Sequence, residues 1–153
     1  MADTRDRYYA FWASLLPRSN PRTGFSLRRP TKRPYVEYCR QGFCFHYRLE
    51  DAQPNAQVAF TLQRSDSDEI YAQLVQQRAA IEAAIGAPLT WLPAWRSPEH
   101  RWPAPAIVQV IACPSLRDLD QAAWPALQMQ MIEAMVRLER TLVPQLHPWL
   151  TDD

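Results

Sequence analysis

Apolar positions recur at helical spacing across residues 3–16, where Tyr8, Phe11, Trp12, Leu15 and Leu16 fall on one face behind an Asp3-Thr4 start, with Pro17 as the expected stop. Residues 18–34 are polar and hold Pro21, Gly24, Pro30 and Pro34, which predicts a mobile basic loop anchored only by Phe25 and Leu27. The period then switches to two. Residues 35–40 and 43–50 flank Gln41-Gly42, and Phe43, Phe45, Tyr47 and Leu49 alternate with Cys44, His46, Arg48 and Glu50, the pattern of a β-hairpin with a half-exposed second strand. Residues 57–64 repeat the alternation with Val58, Phe60 and Leu62, which predicts a third antiparallel strand after a turn at 51–55.

Residues 65–69 read Ser-Asp-Ser-Asp-Glu, rich in cap formers and first-turn acids, and Ile70, Leu74, Ile81 and Ile85 carry one helix from there to Gly86. Residues 88–105 hold five prolines with Trp91, Trp95 and Trp102, room for only a brief strand at 89–92. The β-branched run 107–112 reads as a buried strand. Asp118 and Asp120 then introduce a helix with Leu127, Met131, Met135, Leu138 and Leu142 on one stripe, loosened at its end by Pro144 and Pro148. The order α-βββ-α-ββ-α predicts an α+β fold, a single mainly antiparallel sheet of about four to six strands covered by three helices. Phe11, Trp12, Phe45, Phe60, Leu74, Ile81 and Leu138 should share its core. The three methionines Met129, Met131 and Met135 read as helix core rather than as a binding patch.

The 153 residues, 47% apolar and 22% charged, suit one globular domain spanning 1–153. No run approaches the roughly 18 apolar residues of a membrane span and the start lacks signal-peptide order, so the chain reads as soluble and cytoplasmic. Three glycines leave little for a phosphate-cradling loop.

The net charge of +1 hides an asymmetry: residues 1–50 carry ten basic against four acidic side chains, and residues 51–153 carry seven against twelve. Within 18–48, eight basic residues meet one acid, Glu37. Sixteen of the seventeen basic residues are arginine, whose planar fork suits phosphate. Such a segment expects an anionic partner, a solvated surface, or pairing with the acidic half of its own chain. The stretch Trp91, Trp95, Arg96, His100, Arg101, Trp102 sets rings beside arginines, as single-stranded nucleic-acid binders do, although large rings also pin proline loops to sheets. Trp91 is expected buried and Trp95 exposed. The binding residues expected are Arg22, Arg28, Arg29, Lys32, Arg33, Arg40, Trp95, Arg96, His100 and Arg101.

Catalytic chemistry is poorly represented. A zinc site on Cys39, Cys44 and His46 would need His100 or Cys113 and has irregular spacing, so the cysteines read as packing residues rather than as metal ligands or a disulfide. Cys113, before Pro114, has His100 or His147 as conceivable bases but no nucleophile signature around it. No catalytic residue, metal or cofactor is assigned.

Phe11-Trp12 in the first helix, Ile81-Glu82 followed by Leu89-Thr90-Trp91, and Trp124 in the closing helix together resemble the bacterial family termed domain of unknown function 4268, over roughly residues 8–150. The resemblance implies a fold and a setting behind restriction-endonuclease-like modules, with no activity attached. A restriction-endonuclease core would need a carboxylate and a Glu/Asp-x-Lys on adjacent strands to hold magnesium. The corresponding strand, 58–64, reads Val-Ala-Phe-Thr-Leu-Gln-Arg and offers neither carboxylate nor lysine. The expectation is a non-catalytic binding domain, an accessory to nuclease, defence or mobile-element systems, that clamps nucleic acid between loops 18–33 and 95–102. The alternative is a protein-interaction module that meets an acidic protein through exposed aromatics with arginine steering.

Overall fold

The computed structural model describes residues 3–25, 28–96 and 102–151. Gln41 and Gly42 both take positive φ, 54° and 81°, the backbone a two-residue hairpin turn demands, and they join β1, Tyr35–Arg40, to β2, Phe43–Glu50. This turn fixes the register Arg40↔Phe43 and Cys39↔Cys44, and the period-two pattern carries it onward to β3, Asn55–Leu62, where Phe45 faces Phe60. With β4, Thr90–Trp95, and β5, Ala104–Ala112, the strands form one antiparallel sheet in the order β1-β2-β3-β5-β4. Both β3 and β4 pair antiparallel with β5, which lies between them, so they run parallel to each other and need a crossover.

That crossover holds two helices, α2, Ser67–Gln76, and α3, Arg78–Ile85. The single helix expected over this span breaks at Gln77, whose φ and ψ of −101° and 13° leave the helical ladder. No breaker residue marks the spot. The kink lets Ile70 and Leu74 bury against the sheet at β5 while Ile81 and Ile85 bury toward α4, Trp124–Gln145. Near the N-terminus, α1, Thr4–Ser19, runs through Pro17 rather than stopping before it. Pro17 and Ala13 are both exposed, so the carbonyl that loses its donor faces water. All four helices are on one side of the sheet, making an α+β two-layer fold with four helices instead of three.

The core between the layers contains Phe11, Trp12, Phe45, Phe60, Leu74, Ile81 and Leu138, each at most 3% exposed, as their helical and strand phases required. Met131 and Met135 are part of it, while Met129 is exposed. The basic segment after α1 is tied down where it is described: Phe25 is fully buried against Tyr38 and Tyr47, and Ser19 Oγ lies 2.7 Å from the Tyr47 hydroxyl. Burial raises the Tyr47 phenol above its ordinary range, so it stays neutral. Leu27, the other expected anchor, lies outside the described residues. No helix among the described residues is long and apolar enough to cross a membrane.

Cys39 and Cys44 form a disulfide across the hairpin. This corrects the packing role expected for them. They face each other one pair away from the turn, where two-residue hairpins bring Cα atoms closest, here 4.1 Å. The spacing of five residues follows from the turn, and both sulfurs are thereby removed from any thiolate ligand set.

Candidate functional site

The strand alternation sends Tyr35 and Glu37 of β1, Cys44, His46 and Arg48 of β2, Ala59 and Thr61 of β3, and Ala104, Ala106 and Val108 of β5 to the face without helices. A half-exposed strand was expected at β2. Instead Cys44, His46 and Arg48 are as buried as their apolar neighbours.

The cover includes Trp95. Pro93 cannot donate to the ladder, and a β-bulge follows between Leu92, opposite Ala106, and Trp95, opposite Ala104. The extra residue reverses the alternation, so Trp91 stays on the helix side while Trp95 crosses to the other face. There Trp95 packs on Ala59, Ala106 and Val108, sets its ring edge-on to His46 with centroids 6.2 Å apart, and receives the Arg48 guanidinium 5.7 Å from its ring centre. Trp95 is therefore partly buried, which corrects the expectation of an exposed ring. Trp91 is also partly buried rather than fully so, held by an indole N–H donated to Glu82 Oε1 at 2.9 Å and by Arg78 over its face. Trp95→Ala should lower stability by about 2 kcal/mol, roughly half the cost of deleting a fully buried ring, measured as a shift in the urea midpoint. An unchanged midpoint would mean that Trp95 does not seal this face.

Beneath Trp95 lies a polar chain. His46 Nδ1 is 3.2 Å from Glu37 Oε2 and its Nε2 is 2.8 Å from Thr61 Oγ1, which also accepts from Gln63 Nε2 at 3.1 Å. The layout of carboxylate, imidazole and hydroxyl resembles a catalytic triad, but Thr61 is wholly buried, and a nucleophile must reach its substrate. The set reads as interior polarity of the covered sheet face. Cys113, the other conceivable nucleophile, has its thiol pushed up by burial and then by Asp51, the opposite of what thiolate chemistry needs.

Glu37 also stands where two concavities meet. On one side a cavity of about 230 Å³ is lined by Arg28, Arg29, Thr31, Arg33, Tyr35, Val36 and Glu37. Its loop is fixed from below: the buried Trp12 donates its indole N–H to the Arg33 carbonyl at 2.8 Å, and Thr31 Oγ1 donates to the Tyr35 carbonyl at 3.0 Å. Arg33 Nη1 donates to the Tyr35 hydroxyl at 3.0 Å. Arg28 and Arg29 are exposed and have no carboxylate partner among the described residues. On the other side a groove of about 680 Å³ runs from Glu37 past Gln63, Arg64 and Ser65 to Trp102, which is 71% exposed. Arg64 there is occupied by Asp66 at 2.7 Å and by the face of Phe43.

The structure thus gathers Arg28, Arg29 and Arg33 from the expected binding set and disperses the others. Lys32 pairs with Asp6 at 3.3 Å, Arg22 contacts Met129 on α4, and Arg40 sits at the far end of β1. Arg96 is exposed, and His100 and Arg101 lie outside the described residues. Trp102 is the exposed ring where the sequence points to Trp95, because the bulge that turns Trp95 onto the sheet has no signal in the proline-broken stretch.

Residues 7–146 match the family model described as Domain of unknown function (DUF4268). The chain belongs to that family. The matched span runs from the first turn of α1 to just past the end of α4 and so includes both the arginine cavity and the groove that adjoins it. No curated protein and no solved structure matches the chain.

Proposed function

We propose that this family member is a non-catalytic domain that binds single-stranded nucleic acid, with phosphates in the arginine cavity and a base on Trp102. The observation that carries the reading is the convergence of Arg28, Arg29 and Arg33 on one cavity, next to a groove walled by an exposed tryptophan. Arginine forks suit phosphate oxygens, and a solvent-exposed ring stacks on any base. Glu37, the acid between the two sites, has its Oε2 3.2 Å from His46 Nδ1. Trp95 supplies no stacking surface in this reading, since it covers the sheet. An interaction module built on exposed aromatics has less support: the large exposed apolar residues Tyr9, Val75, Val110 and Met129 are dispersed over α1, α2, β5 and α4.

Fluorescence anisotropy with a labelled single strand and its duplex at low salt tests the proposal. The single strand should bind more tightly. Trp102→Ala should leave stability within about 0.5 kcal/mol of the parent, as for other exposed sites, and weaken single-strand binding by about 1–3 kcal/mol, the range for one stacked base. Absence of binding to either probe at low salt would overturn the proposal.

A further inference from the structure

On the helix side of the hairpin, the residues Gly24, Tyr38, Arg40, Phe43, Phe45, Val143, Leu146 and Leu150 enclose a cavity of about 310 Å³, at the lower end of the range for small-molecule sites. Arg40 is the one charged residue lining it, and the other side chains of its wall are aliphatic or aromatic. Strand parity explains the guanidinium's place: Val36, Tyr38 and Arg40 share the face that meets the core, and Arg40 is the last residue before the turn, where the helical layer ends. Arg40 is exposed and finds no carboxylate partner among the described residues.

Close packing and hydrogen bonds define the floor and rim. A side chain on Gly24 would run into the Tyr38 ring, so backbone lies directly on that aromatic. The Tyr38 hydroxyl donates to Glu139 Oε2, and the Gly24 N–H donates to the same oxygen at 2.9 Å. Glu139 Oε2 thus already accepts two hydrogen bonds, and burial raises its pKa. At the rim, the Gln41 side chain donates to the Thr151 carbonyl at 2.7 Å and accepts from the Thr151 N–H at 2.9 Å, which holds the segment after α4, with Leu146 and Leu150, over the cavity.

We propose that this cavity binds a small aliphatic monocarboxylate, its carboxylate on the Arg40 fork and its chain among Phe43, Phe45, Val143 and Leu146. The pairing joins a charge-assisted, two-pronged hydrogen bond to apolar burial, and neither alone would select an acid. The site is separate from the arginine cavity and does not depend on nucleic-acid binding.

Isothermal titration of the full chain with hexanoate, octanoate and 1-octanol tests it. Octanoate should bind, about fourfold tighter per added methylene than hexanoate while the chain still fits. Arg40→Gln should weaken octanoate at least tenfold, and 1-octanol should bind no better than octanoate binds that variant. Val143→Trp, which fills the cavity, should abolish binding while the thermal transition of the unliganded variant shows it folded. If Val143→Trp does not fold, Val143→Phe, a smaller filling, takes its place. No binding of octanoate, equal binding of acid and alcohol, or octanoate affinity indifferent to Arg40→Gln would each overturn the proposal.

Discussion

Phe60→Ala should destabilise the protein by about 3–5 kcal/mol, a large share of the stability of an ordinary domain. Phe60 is fully buried at the centre of the sheet, paired across β2 with Phe45 and across β5 with Ile107. Its ring lies 5.1 Å from Phe45 and 6.3 Å from Phe43, so truncation opens a void bounded by strands that hydrogen bonding keeps in register. Such a frame collapses little around a cavity. Urea denaturation followed by tryptophan fluorescence measures the loss. A cost below about 1 kcal/mol would show that β3 is out of phase, because a one-residue slip would put Phe60 on the opposite face.

Arg28→Glu with Arg29→Glu should bring single-strand binding below detection at physiological salt while leaving the melting temperature nearly unchanged, as both side chains are exposed. Each phosphate contact on a single strand contributes about 0.7 to the slope of log affinity against log salt, so loss of two should flatten the slope by about 1.4 where binding can still be followed. Arg5→Glu with Arg7→Glu makes the same change in net charge at the start of α1, on side chains that do not line the cavity. If this control loses as much affinity as the cavity variant, the attraction comes from overall charge and the cavity is not the binding site.

The helical and period-two patterns carry most of the fold. Residues with one strong phase, such as Phe45, Phe60, Leu74 and Leu138, are buried where their spacing placed them, because each element must hide its apolar face against another. The hairpin was equally legible, since Gln41-Gly42 admits few turns other than the one observed. The resemblance to the family was likewise carried by structural positions, Phe11-Trp12 and Trp124 among them, and the family model matches residues 7–146.

Other features depended on partners distant in sequence. The break at Gln77 has no local signal, because it is set by the two different surfaces, β5 and α4, on which the helix halves must pack. Trp91 and Trp95 are four residues apart and should share a face by alternation. The bulge after Pro93 separates them, and only the ladder to β5 shows which residue is the extra one. The Cys39–Cys44 bond follows from cross-strand proximity, which composition and compartment could not weigh against packing.

The basic segment shows the division most clearly. Its charge excess and arginine content are properties of the chain alone, and they determined that an anionic partner should be sought there. Which arginines lie together was decided by tertiary structure. Trp12 holds the Arg33 carbonyl, Asp6 takes Lys32, and β1 carries Arg40 to its far end, leaving Arg28, Arg29 and Arg33 around one cavity. Charge is additive along a sequence, whereas a binding site requires charges to converge in space, and convergence is set by the packing of residues that are themselves uncharged or already paired.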